Sequence, residues 1–422
     1  MRQALRLPVF RRLLAAYTLN ELAWTAGVLA LSVLVYRRTG SAIGAMAFFL
    51  CAEFIPALLT PPLAARIDRS PPRIVLPLLY GLEAMLFGLL GWMAHSFPIG
   101  LVLALVVADG AVALVARALA STARVGVLKP LDLLHEGNAI VNGVFSLCFF
   151  AGPAIGGAIV ALGGTKAALF VNCGLFAVMA MVLATTDLPR RALATGPQSG
   201  RLRAALAYAR ADRRLRVRLS LFAVAQVVFS ITTPVTIVFV SHSLHDGAAA
   251  YGVLLSAWGA GAVAGSVVFA RWRRGRLATL ISYGAAATGV GFALWAVAPS
   301  LAFAIVGVVI GGTGNGTVAI ALQTAIQEQT TDEWMGVIMS LTEAIGSVAP
   351  GAGILIGGVI TAVFSPRIAL AVAAGAAMAF ALSVSVNLRS DPTSSRRRAP
   401  EPLGAEVGDG PGPAVAHRES LV

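Results

Sequence analysis

Long apolar runs separated by short polar connections set the pattern of this chain. Twelve runs of at least 20 residues can be drawn. At 1.5 Å of rise per residue, each is long enough to cross a hydrocarbon core of roughly 30 Å. The pattern therefore predicts an all-α membrane protein with twelve transmembrane helices. The predicted spans are Leu13–Tyr36, Ala42–Ala65, Ile74–Ala94, Phe97–Ala116, Ala139–Leu162 and Ala167–Thr186, followed by Leu219–Val240, Tyr251–Ala270, Leu277–Ala298, Leu301–Leu322, Val337–Val363 and Ile368–Leu388.

The composition agrees with a polytopic membrane protein. The chain has 422 residues, of which 58% are hydrophobic and 12% charged, and its mean hydropathy is +0.83. A soluble domain carries roughly twice that share of charged residues. The net charge of +13 does not indicate nucleic-acid binding, because the arginines lie between apolar spans rather than along one face. Cys51, Cys148 and Cys173 all lie inside apolar spans, so we predict no disulfide, no metal site and no cofactor.

The distribution of basic residues predicts the orientation in the membrane. Only four of the 32 Lys and Arg residues fall in the odd-numbered connections: Arg37, Arg38, Lys166 and Arg367. Because cytoplasmic loops are enriched in Lys and Arg, both termini are predicted to be cytoplasmic. The basic segment Met1–Arg12 has no small-residue cleavage site, so we interpret it as leading into an uncleaved first helix. The predicted location is the cell (inner or plasma) membrane.

Two segments are predicted to lie outside the spans. Asp187–Arg218 carries nine arginines, with apolar residues at helical spacing in its second part, which predicts a helix lying on anionic lipids of the inner leaflet. Asp391–Val422 is rich in Pro, Gly, Ser and charge, which is typical of a disordered tail. The predicted domains are therefore residues 1–186 and 219–388 as two six-helix halves, 187–218 as a basic cytoplasmic linker, and 389–422 as a cytoplasmic tail.

A weak internal repeat relates the two predicted halves. AIGAMAFF…LAARIDRSPPR in span two parallels AYGVLLSA…VFARWRRGR in span eight. GPAIGG in span five parallels PGAGILIGG in span eleven. Such similarity predicts two six-helix units in parallel repeat.

The connection between spans two and three carries a recognisable motif. Its pattern, Ala64-x-x-x-Asp68-Arg69-x-x-x-Arg73, resembles the loop signature of the major facilitator superfamily, Gly-x-x-x-Asp-Arg-x-Gly-Arg-Arg. Ala64 replaces the first glycine, and two prolines replace the Gly-Arg pair. The alternative interpretation of this loop is an ordinary basic cytoplasmic turn. The resemblance implies the major facilitator fold, with spans one, four, seven and ten lining a central cavity.

Further segments resemble the bacterial exporter branch of that superfamily, which includes drug, macrolide and siderophore efflux proteins. They are VFRRLLAAY, VYRRTGSAIG, FIPALL, GPAIGG and LAYARADRRLR. GPAIGG comprises Gly152, Pro153, Gly156 and Gly157 and is similar to the fifth-helix signature of exporters, although glycines also serve ordinary helix packing. The resemblance implies that these residues take part in conformational change.

Six ionisable residues fall inside the spans or, for Arg117, directly after one; each costs about 2.5–3.5 kcal/mol if it faces lipid at mid-helix. They are Glu21, Glu53, Glu83, Asp109, Arg117 and Glu343. Glu21 is the main candidate for proton binding, because a polar and aromatic stripe surrounds it on one face of span one. The stripe includes Tyr17 and Trp24. A carboxyl in an aqueous cavity loses hydration when the cavity closes and can then take up a proton. The alternative is a structural hydrogen-bond network with Asn20.

Spans four, seven and ten supply the other candidates for substrate or proton binding. Asp109 and Arg117 lie about 12 Å apart along span four, and the resemblance implies that Asp109 shares a chamber with Glu21. Arg117 lies too near the cytoplasmic end to match the mid-helix arginine of proton-coupled drug antiporters, and its alternative role is a cytoplasmic anchor. The second half contributes neutral polar residues, chiefly Gln226, Asn315 and Gln323.

A cytoplasmic gate is predicted from opposite charges in facing loops. If a pseudo-twofold axis relates the halves, Arg69 and Arg73 face Asp332 and Glu333. Arg273 likewise faces the connection between spans four and five. Asp68 would approach the N-terminus of span eleven, where the helix dipole favours an anion. Glu53 and Glu343 are predicted to serve the contact between spans two and eleven, and Glu83 to be structural. The alternative is that these arginines only follow the positive-inside rule.

These observations predict a secondary transporter that exports a small amphipathic organic molecule, drug, antibiotic or siderophore-like, by proton-coupled alternating access. The alternatives are a proton-coupled importer of the same fold and a non-transporting membrane scaffold or sensor. No enzyme motif is present in the sequence, so an enzyme is not predicted. The predicted partners are the substrate, protons and the lipid bilayer with its anionic inner-leaflet lipids, without nucleic acid, and the predicted state is a monomer.

Overall fold

The computed structural model describes residues 3–60, 71–188, 207–210, 212–272 and 277–389. The described residues are overwhelmingly helical, and eleven of their helices are long and apolar enough to cross a membrane. The prediction of an all-α membrane protein is therefore confirmed. We number the helices α1 to α12 along the chain, counting two spans in the longest one. They are α1 Pro8–Thr39, α2 Ala42–Phe49 with its continuation to Thr60, α3 Pro72–Met93, α4 Ile99–Leu128, α5 and α6 together as Leu134–Ala184, α7 Arg213–Ser230 with Thr232–Val238 and a π turn to Ser243, α8 Ala248–Trp272, α9 Leu277–Ala296, α10 Leu301–Gln329, α11 Asp332–Val363 and α12 Pro366–Arg389.

A single glycine divides the longest helix into two spans. Leu134–Ala184 runs for 51 residues, more than twice what one crossing needs. Gly164 interrupts it with φ 77° and ψ 172°, a backbone conformation that side chains with a Cβ rarely adopt. Residues 134–163 therefore form α5 and residues 165–184 form α6, close to the predicted spans five and six.

Helix α7 begins six residues earlier than predicted. Asp212 caps its N-terminus by accepting hydrogen bonds from the backbone N–H of Arg214 and Leu215, at 2.8 and 3.3 Å. The sequence prediction began span seven at Leu219, because the arginines before it look like a surface segment. Most of the predicted linker (189–206 and 211) and the predicted tail from 390 onwards lie outside the described residues.

Helix α2 contains a π turn at Leu50–Phe54. The backbone N–H of Ile55 bonds to the carbonyl of Leu50, five residues back. Pro56 follows and has no N–H to donate to Ala52, so the regular α-helical ladder cannot continue through this turn. A π turn shifts the side chains around the helix axis, and such turns are frequent at functional sites.

The helices are connected so that alternate loops share one end of the bundle. We call the end with the α1–α2, α7–α8 and α11–α12 connections the Gly40 end, and the opposite end, with the α4–α5 connection, the Lys129 end. At the Gly40 end one apolar cluster joins helices from both halves of the sequence, including Leu34, Phe239, Tyr251 and Ala369.

At the Lys129 end the apolar clusters are separate. One contains Phe10 and Leu128, from the first six helices. Another contains Leu215, Ile326 and Ile338, from the last six. Among the described residues, the apolar residues that join the two sets of helices therefore lie toward the Gly40 end and the middle of the bundle, not at the Lys129 end.

Small residues allow the first six helices to approach the last six closely. A Cβ added to Gly157 on α5 would lie 3.0 Å from the Cα of Gly252 on α8. Deeper along the same pair, the Oγ of Ser256 accepts a hydrogen bond of 2.9 Å from the backbone N–H of Ala154. Gly358 on α11 meets Met46 on α2 in the same way, with 2.5 Å from an added Cβ to Met46 Cβ. Such contacts are typical of helix packing within membranes.

Two arginines at the Gly40 end bind the carboxyl ends of helices. The guanidinium of Arg38 donates to the carbonyls of Ala94 and His95, after α3, at 2.8 and 3.3 Å. That of Arg367 donates to the carbonyls of Ala296 and Ala298, at the end of α9, both at 2.8 Å. These carbonyls lack intrahelical partners and carry the negative end of the helix dipole, so both contacts are favourable.

Candidate functional site

A central cavity of about 350 Å³ lies between helices from both halves of the sequence, in the size range of small-molecule sites. Helices α1, α2, α5, α7, α8, α9 and α10 all contribute to its wall. Seven of its lining residues are aromatic: Trp24, Phe49, Phe149, Phe229, Tyr251, Trp258 and Trp295. Its polar lining residues are Thr25, Glu53, Gln226, Ser230, Thr232, Thr233, Thr236 and Asn315.

The aromatic side chains of the cavity are held by other rings. Trp258 stacks on Phe292 with ring centroids 5.7 Å apart and planes 8° from parallel. Trp295 meets Phe239 edge to face at 6.0 Å. Trp295 is only 3% exposed, and its Nε1 has no hydrogen-bond partner among the described residues.

A group of charged and aromatic side chains, which we call the charged cluster, lies between α1 and α4. The guanidinium of Arg117 lies 5.2 Å from the ring of Trp24, and that of Arg124 lies 4.5 Å from the ring of Tyr17. Both distances are within the range of cation–π interaction. Glu21 is 3% exposed and interacts electrostatically with both arginines, so its carboxylate is buried next to opposite charge.

Two further carboxyl groups lie next to this cluster. Glu83 on α3 is fully buried, and neither of its carboxylate oxygens has a hydrogen-bond partner among the described residues. Asp109 on α4 is close enough to interact with it electrostatically, and its Oδ1 is buried and unpartnered in the same part of the structure. Two buried carboxyl groups thus lie within electrostatic range of each other beside the charged cluster.

The predicted stripe on α1 is divided between these two places. Trp24 lines the cavity, whereas Tyr17 and Glu21 lie within the charged cluster. Asn20 is buried, and its side chain lies within hydrogen-bonding reach of the Glu21 carboxyl. The expectation that Glu21 and Asp109 line one open chamber does not match these positions, because α4 packs its charged face against α1 and α3.

The polar residues predicted in the second half also differ in position. Gln226 on α7 and Asn315 on α10 line the cavity. Gln323, two turns further along α10, is exposed and is not among the lining residues. The roles assigned to all three residues stay predictions.

Glu53 lies in the cavity wall. Phe54, the next residue in the π turn, contacts α11: an added Cβ on Gly351 of α11 would lie 2.7 Å from Phe54 Cγ. The predicted role of Glu53 in the contact between α2 and α11 stays a prediction.

The glycines of the GPAIGG segment pack against two helices at once. A Cβ on Gly156 would lie 2.8 Å from the Cα of Ala26 on α1, and Gly152 likewise abuts Thr25. On the other side, Pro153 and Gly157 meet Gly252 of α8. These residues therefore lie at the contact between the first six and the last six helices.

Most residues of the predicted gate lie outside the part of the chain that the structure describes. Asp68, Arg69 and Arg273 lie outside the described residues. Asp332 and Glu333 begin α11, but their side chains are not described. Arg73 is exposed near the start of α3.

Sequence reasoning missed three features of the site. Arg124 was assigned to a loop, because the predicted span four ended at Ala116, whereas α4 continues to Leu128. The proximity of Glu83 to Asp109 was not predicted, and the structural role predicted for Glu83 stays a prediction. The aromatic residues of α8 and α9 were not singled out, because an aromatic residue in an apolar span gives no sign of which neighbour it faces.

Comparison with known proteins gives the family. The model of the Major Facilitator Superfamily matches residues 13–349 and 219–418. An uncharacterised MFS-type transporter, y4rN of Sinorhizobium fredii (strain NBRC 101917 / NGR234), is 26% identical over 372 residues, which cover 84% of this chain and 89% of that protein.

Solved structures share the fold at low sequence identity. The nucleoside transporter NupG matches with a TM-score of 0.72 at 14% identity, over 90% of this chain and 99% of that chain. A bacterial homologue of the iron transporter ferroportin, in an inward-facing state, matches with a TM-score of 0.70 at 14% identity, over 90% and 98%. A bacterial homologue of the human lysosomal transporter Spinster, also inward-facing, matches with a TM-score of 0.68 at 13% identity, over 90% and 95%.

The family match, the apolar helices and the shared fold lead to the same result. A multi-pass membrane protein of this family has a small-molecule substrate and carries out transport, not enzymatic catalysis. The chain belongs to the major facilitator superfamily and is a membrane transport protein of that family.

Proposed function

We propose that the protein is a secondary transporter that exports a small amphipathic organic molecule in exchange for protons, by alternating access of two six-helix halves. The observation that carries the proposal is the central cavity, which lies between helices of both halves and combines aromatic and polar side chains. With the termini cytoplasmic, the Lys129 end faces the cytoplasm. A cavity closed at the Gly40 end then represents the inward-facing state, as named for the ferroportin and Spinster homologues.

Proton coupling requires a link between the cavity and a group that takes up protons. Trp24 supplies such a link, because its ring both lines the cavity and contacts Arg117. Arg117 in turn interacts with Glu21 in the charged cluster. A substrate that displaces the Trp24 ring weakens the cation–π interaction between Trp24 and Arg117, and this changes the electrostatic cost of protonating Glu21. The Glu83–Asp109 pair lies next to the cluster and supplies a second place for a proton.

Closure of the Lys129 end is proposed to bring charged loops together. The arginines after α2 and α8 would then meet the carboxylates between α10 and α11 and between α4 and α5. Exposed pairs are worth about 0–1 kcal/mol each, so such a cluster shifts the equilibrium between two states by about tenfold and does not lock it. The gate is tested by three charge-reversal variants: one at Arg69 and Arg73, one at Asp332 and Glu333, and one that combines all four. Cysteine labelling at the Lys129 end should rise in each partial reversal and recover in the combination; additive effects would reject the gate.

The direction and the coupling are tested together by accumulation of a panel of labelled compounds. Cells with and without the protein are compared before and after an uncoupler collapses the proton gradient. Lower accumulation that the uncoupler abolishes supports export. Higher accumulation would instead mean import by the same fold, and no difference for any compound would favour a membrane scaffold or sensor.

A further inference from the structure

We infer that the central cavity binds an organic cation with apolar groups, and that Glu53 is the carboxylate that holds its positive charge. The inference rests on the proposed function and deepens it, because it gives the chemical class of the substrate.

The residues on either side of Glu53 in the sequence both pack against other helices, and Glu53 itself faces the cavity. On one side, the carbonyl oxygen of Ala52 lies 2.8 Å from where a Cβ on Gly110 of α4 would be. On the other side, Phe54 packs against Gly351 of α11. Helix α2 is thus wedged between α4 and α11 at the π turn, and Glu53 lines the remaining face.

Glu53 also has no countercharge in the cavity wall, whereas Glu21 interacts with two arginines. Among the described residues that line the cavity, it is the one with a charged side chain. Arg117 and Arg124 belong to the charged cluster and are not part of the cavity wall. A carboxylate in such surroundings is costly without a partner, so it requires either a proton or a cation from outside the protein.

The rest of the cavity wall favours a cation over a proton alone. Seven aromatic rings surround the space, and the faces of such rings attract cations, most strongly tryptophan and where water is excluded. Trp258 is fixed against Phe292 by stacking, so its ring is preorganised. A cation gains from both the carboxylate and the ring faces, whereas a neutral donor gains a hydrogen bond only and an anion is repelled. The geometry therefore selects a positively charged molecule with apolar substituents.

The test uses a matched pair of ligands that differ mainly in charge: methyltriphenylphosphonium, a permanent cation, and triphenylphosphine oxide, its neutral analogue. Binding of both to the purified full-length protein in lipid nanodiscs is measured for wild type, Glu53→Gln and Glu53→Asp. Wild type should bind the cation more tightly than the neutral analogue. Glu53→Gln should weaken cation binding about tenfold or more while leaving the neutral analogue nearly unchanged. Glu53→Asp, which keeps the charge, should retain most of the preference.

Glu343→Gln is the matched control, because it removes the same charge from a membrane helix at an exposed position outside the cavity wall. It should bind both ligands like wild type. Binding of the neutral analogue by Glu53→Gln shows that this variant is folded. The inference is overturned if wild type does not prefer the cation, or if Glu53→Gln binds the cation like wild type or loses both ligands equally.

Transport separates this result from the proposed function. If wild-type cells export neutral amphipathic compounds but no cations, the substrate class is wrong and the exporter stands. If they export nothing from the panel, the proposed function fails, whatever Glu53 binds.

Discussion

Replacing Gly252 with alanine would place a methyl group in the contact between α5 and α8. The new Cβ would lie 3.0 Å from the Cα of Gly157 and closer still to the carbonyl oxygen of Pro153. Both neighbours are backbone atoms, so no side chain can rotate away. If the protein works by the proposed alternating access, this contact is present only while the Gly40 end is closed, and the strain then acts on one state and not on the other.

The size of the effect follows from the cost of overpacking, about 1–3 kcal/mol for an extra methyl group in a tight contact. Since about 1.4 kcal/mol is a factor of ten, the equilibrium should shift toward the state open at the Gly40 end by about fivefold to a hundredfold. The general gain of alanine over glycine in a helix, up to about 1 kcal/mol, applies to both states and cancels.

Accessibility of a buried cysteine at the Gly40 end measures this shift. Ser32 is fully buried on α1, and its hydroxyl donates to the carbonyl of Leu29 at 2.9 Å. Ser32→Cys in a chain lacking the three natural cysteines should react slowly with a membrane-impermeant maleimide added at the Gly40 end. Gly252→Ala should raise the labelling rate and reduce active transport.

A second glycine provides the control that separates strain between the two sets of helices from general loss of stability. Gly291 on α9 would bring a Cβ to 2.5 Å from the carbonyl oxygen of Gly307 on α10, a contact within the last six helices that both states share. Gly291→Ala should lower the melting temperature without changing the labelling of Ser32→Cys. Equal labelling rates in Gly252→Ala and its parent, or an equal rise in Gly291→Ala, would refute the reasoning.

Two further predictions concern protons. Glu21→Gln should abolish uncoupler-sensitive transport while keeping binding of a neutral ligand, because the carboxyl that would couple transport to the proton gradient, about 1.4 kcal/mol per pH unit, is gone. Trp24→Leu should weaken the same coupling. Active transport by Glu21→Gln with wild-type pH dependence would contradict the prediction. Burial raises the pKa of Asp212, but hydrogen bonds from Gln329 and from backbone N–H groups outweigh burial and hold this pKa below its usual range. The contribution of Asp212 to stability is therefore present at neutral pH and lost as pH falls below about 4. Asp212→Asn should therefore lower the melting temperature at pH 7 by the equivalent of about 1 kcal/mol or less, with the difference vanishing in acid; a constant difference at all pH values would contradict this.

The sequence predicted the spans well because a hydrocarbon core demands long apolar runs, whatever the tertiary packing. It predicted the limits of helices poorly where arginines are buried within protein. Arg117 and Arg124 are seven residues apart and so lie on one face of α4, and that face contacts aromatic rings of α1. Polarity along the chain could not distinguish this arrangement from a cytoplasmic loop.

The positions of individual side chains could be predicted only in part. Periodicity placed Glu21 and Trp24 on one broad face of α1, but the face spans two environments, and which neighbour each residue meets depends on tertiary packing. The π turn that contains Glu53 is a local change that no apolar pattern reveals. The proline at 56 was the available signal, since it removes one hydrogen bond from the ladder.

The arginines that bind helix ends bear on how the chain is threaded through the membrane during synthesis. Basic residues normally hold their flanking loop on the cytoplasmic side, and Arg38 and Arg367 are exceptions in the predicted topology. Each guanidinium is engaged by two carbonyls at a helix terminus, so once folded it satisfies a neighbour instead of facing the lipid headgroups as a free charge. The two arginines thus connect helices that are not neighbours in sequence: the end of α1 with the end of α3, and the start of α12 with the end of α9.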